Sequence, residues 1–223
     1  VARVSAAYME STRNVFSSVA NISSCARPSE LACFLQTERF TCLDGMGAEA
    51  LARHLGVPQT DLVTKARHER WIQLREESAG SGGSLRADGK GTIGCVALDA
   101  DGNLCALTST GGVGNETPGR LGDTPTVAGN YCSPLVAVSC TGFGEQILAC
   151  AFAARLATRV EDGLPLADAM RKGIAEAHAR EFGLAAIAVA LDPARRTATW
   201  CTGTTEGYFI WAGFDGRSDL VFS

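Results

Sequence analysis

The chain has 223 residues, 46% of them hydrophobic, with 24 acidic against 20 basic side chains and a formal net charge of −4. That length supports one substantial core in a single domain. The charge balance lacks the clustered Lys and Arg that nucleic acid or anionic lipid requires, which leaves a small-molecule or peptide substrate. No apolar run reaches the roughly eighteen residues of a membrane helix. Nine cysteines are scattered without a CxxC pair and three histidines stand apart from them, which argues against a metal site and for reduced thiols in a cytoplasmic protein. Cys95 and Cys105 lie in apolar runs, where a free thiol packs as a small hydrophobe. Because the chain opens at Val1 in mid-pattern, a signal peptide or first strand upstream stays open.

In chain order, residues 15–22 read as an extended run. Pro28-Ser29-Glu30 then opens a helix that continues through Leu31, Phe34 and Leu35, since proline suits the first helical position. A second helix covers 45–54 and stops at Gly56 and Pro58; a third, capped by Asp61 or Thr64, runs to Glu77. Its basic residues from Lys65 to Arg75 are interleaved with Glu69 and followed by Glu76 and Glu77, the pattern of a solvated face. Residues 78–90, beginning Ser78-Ala79-Gly80-Ser81-Gly82-Gly83-Ser84, have the composition of a flexible linker.

Beyond the linker the period changes from helical to alternating. Residues 92–98 and 104–110 form a hairpin around Asp99-Ala100-Asp101-Gly102-Asn103, a turn rich in residues that accept positive φ. A glycine-rich loop spans 111–131, a long apolar helix runs from Glu145 to about Val160, and another reaches from Pro165 to about His178. Residues 185–191 and 197–202 form a second hairpin around Asp192-Pro193. Helices and strands on both sides of the linker predict helices covering stacked sheets, with no solenoid repeat.

The chemistry concentrates where the linker ends, at Lys90-Gly91-Thr92-Ile93-Gly94. If the Gly91–Thr92 bond breaks, Thr92 carries a free amine beside its own hydroxyl. A threonine hydroxyl is a poor nucleophile at neutral pH, but an α-amine titrates near about 7.7 and can take its proton. In the uncut chain that hydroxyl must attack the Gly91 carbonyl, where glycine tolerates a strained backbone and leaves the approach open. Thr110 ends the partner strand and can stand beside Thr92 to orient it. Thr141 and Gly142 offer a hydroxyl and a backbone N–H to a developing oxyanion, at the start of a helix with a favourable field. Arg120 and Asp123, three apart on the glycine-rich loop, match a zwitterion's carboxylate and amine.

Four motifs occur in a fixed order: Gly91-Thr92-Ile93-Gly94, Thr108-Ser109-Thr110-Gly111-Gly112, Gly119-Arg120-Leu121-Gly122-Asp123-Thr124-Pro125, and Ser139-Cys140-Thr141-Gly142-Phe143-Gly144-Glu145. In this the chain resembles the plant-type asparaginase/isoaspartyl aminopeptidase family of N-terminal nucleophile hydrolases, continuously from Thr92 to about Ala190 and more loosely before the linker, from Asn21 to Ala32. The resemblance implies an αββα sandwich and self-cleavage at 91/92 into fragments 1–91 and 92–223 that fold as one domain. It implies release of aspartate from L-asparagine or β-aspartyl dipeptides by Thr92 and Thr110, with Thr141 and Gly142 as the oxyanion hole and Arg120, Asp123 and Gly144 binding substrate. It further implies no cofactor and a homodimer of two-fragment protomers. Glycosylasparaginase, a threonine endopeptidase of the same superfamily and an unprocessed, non-catalytic paralogue are the alternatives. The run Val127-Ala128-Gly129-Asn130-Tyr131 is one residue shorter than the family's, and the family's first strand and asparagine-bearing loop are expected before Val1.

Overall fold

A computed structural model of the chain describes residues 2–79, 91–114, 116–192, 194, 197–207, 209–216 and 220–222. Strand alternation sets its layers. In β1 (Val4–Glu10), Ala6 is buried toward helices and Met9 toward the opposite side, as a period of two requires. β1 pairs antiparallel with β2 (Val15–Ile22), which takes the short β3 (Cys42–Leu43) in parallel on its outer edge. The hairpin of β4 (Thr92–Leu98) and β5 (Leu104–Thr110) joins through β5, giving the sheet order β3-β2-β1-β5-β4. A second, antiparallel sheet contains β6 (Asn130–Cys132), β7 (Val136–Gly142), β8 (Leu184–Asp192) and β9 (Thr197–Thr204) in that order. A small ribbon pairs β10 (Ala212–Gly213) with β11 (Val221–Phe222).

Helices cover both outer faces. α1 (Pro28–Phe34), extended by a 3-10 turn at Leu35–Thr37, and α2 (Gly45–His54) set Leu31, Leu35, Ala48 and Ala52 against Val19 and Ile22 of the first sheet. The Asp44 side chain caps α2 by accepting from the Gly47 N–H at 2.8 Å. α3 (Lys65–Ala79) is mostly solvated, with Leu74 its buried contact. Across the second sheet lie α4 (Gly144–Cys150), α5 (Phe152–Glu161) and α6 (Leu166–His178), where Phe152, Leu156 and Met170 meet Val136, Val138 and Ala188. Between the sheets Met9, Leu104 and Ala106 pack on Cys132, Ala137 and Val189. Helix, sheet, sheet, helix is therefore the order of layers, the αββα sandwich that the motifs imply. Each fully buried Leu or Ile contributes roughly 1.5–3 kcal/mol. Leu31, Leu104 and Leu156, one in each of the three interfaces, are at most 1% exposed, so every interface carries part of the stability.

Several details depart from the sequence reading. β1, β3, β7, β10 and β11 were not anticipated, and the glycine-rich loop is interrupted by β6 at its end. The single helix expected from Glu145 to about Val160 is two helices. Ala151 adopts φ +46°, and the Val127 and Ala128 carbonyls accept from Ala154 N and Ala153 N at the start of α5, which redirects the chain. Cys95 is exposed rather than packed, because it points outward from β4, the edge strand, and Cys105 is half-buried. The expected linker begins inside α3, and its residues 80–90 lie outside the described residues, as does Pro193. Among the described residues no helix is long and apolar enough to cross a membrane.

Candidate active site

The inner face of the first sheet changes character along its length. Near the middle it is apolar, where Met9 stands opposite Ala106 and Ala106 opposite Val96. In the next row of this face Ala7, Thr108 and Gly94 lie side by side, and the last row is Ser5, Thr110 and Thr92. Three hydroxyls therefore line one end of the seam between the sheets. Thr92 Oγ1 is 3.1 Å from Thr110 Oγ1, and Thr110 Oγ1 also accepts from the Gly112 N–H at 3.1 Å. Gly112 takes φ +81°, a conformation that favours glycine, and this aims its N–H back at Thr110.

The row behind the hydroxyls locks the two sheets together. Thr108 Oγ1 donates to Asn130 Oδ1 at 2.9 Å and lies 2.7 Å from Ser139 Oγ; with its one proton committed, it accepts from Ser139. Asn130 Nδ2 donates to the Ala106 carbonyl at 3.3 Å. All three side chains are buried, so the network fixes β5 against β6 and β7 directly behind the candidate nucleophile. Gly94 permits this approach. A Cβ there would lie 2.1 Å from Ser139 Oγ.

Opposite the hydroxyl row lie the charged groups. Thr92, Thr110, Gly142, Arg120, Asp123 and Gly144 line one pocket, so six positions spread over 53 residues of sequence meet in space. Arg120 Nε and Nη2 donate to both oxygens of Glu145, at 2.6 and 2.8 Å, and Nη1 donates to Glu116 Oε1 at 2.9 Å. The hydrogen bond to Glu145 is the main reason the guanidinium is held charged above its ordinary range, and the same bond holds Glu145 below the usual carboxylate range. Asp123 is buried, and burial pushes its carboxyl up to about 6 despite the nearby guanidinium. Its Oδ2 has no hydrogen-bond partner among the described residues. A Cβ on Gly144 would come within 3.0 Å of Arg120 Nη2 and Asp123 Oδ1, so glycine is what lets α4 start against this pair.

Thr141 and Gly142 divide between two spaces. Gly142, at φ +139°, faces the pocket with Arg120, whereas Thr141 lines an adjoining cleft of about 420 Å³ walled by Ile187, Phe209, Ile210 and Trp211. Thr92 borders both spaces. At Gly91 the φ lies outside the left-handed region. Around it there is room, since a Cβ would meet only the Gly112 carbonyl at 3.6 Å and Arg67 Nη2 at 3.9 Å.

Four polar or charged pocket residues escaped the reading from sequence: Arg3, Ser5, Asn21 and Glu116. Asn21 takes φ +58°, donates from Nδ2 to the Arg120 carbonyl at 3.1 Å and from its backbone N–H to Ser5 Oγ at 3.0 Å. It braces the loop that carries Arg120. Ser5 belongs to the strand whose pattern was missed, and Arg3 directly precedes that strand. Glu116 had one signal, an acid four residues before Arg120.

A family profile described as Asparaginase matches residues 2–213. An isoaspartyl peptidase/L-asparaginase from Nostoc sp. is 40% identical over 96% of this chain and 69% of its own length. Its Synechocystis counterpart is 43% identical over 84% of this chain and 59% of its own. The mouse protein of the same name is 35% identical over 84% of this chain and 58% of its own. The chain thus spans between somewhat over half and about two thirds of these relatives.

Proposed function

Since the chain belongs to the asparaginase family, whose profile covers it from residue 2 to residue 213, we propose that it is an autoprocessing amide hydrolase that releases aspartate from a β-amide, as in L-asparagine or a β-aspartyl dipeptide. The observation that carries this reading is the Thr92–Thr110 pair, 3.1 Å apart at the mouth of a pocket that also holds Arg120 and Asp123.

Cleavage before Thr92 frees its α-amine. The Thr92 hydroxyl then attacks the substrate carbonyl while that amine accepts the hydroxyl proton. The oxyanion forms beside the Gly142 N–H, with the Thr141 hydroxyl on the adjoining side. Thr110 receives or donates the hydrogen bond that fixes the Thr92 rotamer, and its own orientation is held by the Gly112 N–H. The proton returns to the departing ammonia or amine, leaving an aspartyl ester on Thr92. Water, activated by the same amine, releases aspartate and restores the hydroxyl. Asp123, with one carboxylate oxygen unpartnered, receives the substrate ammonium.

Homodimerisation of the processed protein belongs to the same reading and rests on the family likeness. Nine unpaired cysteines support a reducing, cytoplasmic setting. Denaturing mass spectrometry of purified protein tests the proposal. Two species divided before Thr92, ammonia release from asparagine, and loss of both in Thr92→Ala are the expected results. One intact species that hydrolyses nothing supports a scaffold instead.

A further inference from the structure

Thr92 stands between two spaces of unequal size and opposite character. The pocket with Arg120 and Asp123 has about 30 Å³ of free volume, whereas the cleft has about 420 Å³, within the roughly 300–1,000 Å³ of sites that enclose small organic ligands. Strand alternation builds the cleft. On β7 and β8, Ser139 stands opposite Ile187 and Thr141 opposite Ala185, all facing the seam between the sheets on the same side as Ala137 and Val189. Deeper in, that seam is filled by Met9, Leu104 and Ala106. Here β4 brings Gly94 and Thr92, and β8 brings only the methyl of Ala185, so the seam stays open. Trp211 walls it, its ring tilted against Trp200 with centroids 5.0 Å apart, and Ile210, 86% exposed, stands at its rim. No Asp, Glu, Lys or Arg among the described residues lines this cleft.

An amide attacked by Thr92 carries its acyl part on one side of the carbonyl and its amine on the other. Charge complementarity sets the aspartyl carboxylate and ammonium beside Arg120 and Asp123. The amine then leads away from that pocket, and the cleft is the second space that Thr92 borders. Ammonia, the amine of L-asparagine, leaves nearly all of it to water. A second residue with a large apolar side chain instead buries that side chain against Ile187 and Trp211, while its own carboxylate keeps to the open mouth. A charge at the tip of the side chain would lose hydration there and find no partner.

We infer that this cleft receives the leaving amine, so that the chain takes β-aspartyl peptides whose second residue carries a large aliphatic or aromatic side chain in preference to L-asparagine and to peptides whose second residue is small or charged. The inference rests on the amidohydrolase reading for the role of Thr92 and the aspartyl group, and it narrows which β-amides are taken.

Binding of uncleavable ligands separates the cleft from the chemistry. Three analogues share an L-aspartyl head in which a methylene replaces the scissile N–H, and they end in a benzyl, a methyl or a 4-aminobutyl group. Titration calorimetry at pH 7.5 on the full chain is expected to place benzyl about tenfold or more above methyl, the effect of burying most of one aromatic ring, and the ammonium no higher than methyl. Trp211→Ala should cut the benzyl-to-methyl ratio by about threefold or more, with a melting curve to check that the fold survives. Ile210→Ala, at a rim position too exposed for the fold to depend on it, should cut the ratio by about twofold. A wild-type ratio near one, a ratio unmoved in both variants, an ammonium that binds as well as benzyl, or no binding of any of the three overturns the inference. Hydrolysis is read separately, as phenylalanine released from β-aspartyl-phenylalanine and ammonia released from asparagine. Hydrolysis of either with a ratio near one refutes only the role of the cleft, whereas the expected ratio without hydrolysis refutes only the hydrolase.

Discussion

Gly94→Ala tests the geometry behind the nucleophile. The new methyl would lie 2.1 Å from Ser139 Oγ and 3.0 Å from Ser139 Cβ, over an ångström inside normal contact for the first. Ser139 can turn away, but its hydroxyl then leaves Thr108, a buried partner 2.7 Å distant. Losing that bond costs about 1 kcal/mol, and stranding the hydroxyl adds about 1–3 kcal/mol. If the sheets separate instead, the overpacking itself costs about 1–3 kcal/mol. The first route gives about 2–4 kcal/mol and the second about 1–3 kcal/mol. Urea unfolding measures it, in a Thr92→Ala background so that one continuous chain is followed. Adding Ser139→Ala removes the shorter contact and should recover at least about 1 kcal/mol, a coupling that a double-mutant cycle resolves. With Thr92 restored, Gly94→Ala should also slow cleavage, because both residues sit on one face of β4, one row apart. A Gly94→Ala protein within about 0.5 kcal/mol of its parent, or an uncoupled pair, refutes the close approach of the sheets at this row.

Thr110→Val keeps the shape of the side chain but removes the oxygen 3.1 Å from Thr92 Oγ1 and leaves the Gly112 N–H without it; kcat should fall by about 10²-fold or more with KM little changed, and stability by about 1 kcal/mol. Asp123 gives a pH signature. Its folded-state carboxyl titrates near 6 against an ordinary 3.8, so the folded protein holds the extra proton between those values and stability falls as pH rises from about 4 to about 6. Asp123→Asn should flatten that slope in melts taken across the range. In the wild type, binding of an aspartate-like amine should strengthen as pH climbs through 6 and the carboxylate forms, and Asp123→Asn should abolish that rise in calorimetry.

How much of this was legible in the chain differs by element, for physical reasons. The β4–β5 hairpin was readable because its turn carries Asp99, Gly102 and Asn103, and Asp99 Oδ1 accepts from the Asn103 N–H at 2.8 Å as such turns require. α2 was readable because Gly56 and Pro58 stop it. β1 was hidden: buried on both faces, it shows no polar alternation, and Ala6, Ala7 and Met9 look like any small apolar stretch. The break at Ala151 was hidden too, since the apolar run continues across it and its cause, the Val127 and Ala128 carbonyls, lies over twenty residues upstream. Thr92, Thr110, Arg120, Asp123, Gly142 and Gly144, all named from motifs, line one pocket. Asn21 and Glu116 act by reaching across to Arg120, and a single sequence does not display such contacts.

The boundary inside the first sheet has a consequence for handling the protein. β3, β2 and β1 come from ahead of Thr92 and β5 and β4 from after it, so among the described residues the only ladder joining the two parts is the six-residue seam from Ser5 opposite Thr110 to Glu10 opposite Cys105. A scission before Thr92 severs no rung of it. The pieces should copurify, survive dilution as a noncovalent pair and part only in denaturant, so that a gel under native conditions reports one molecule where a boiled one reports two.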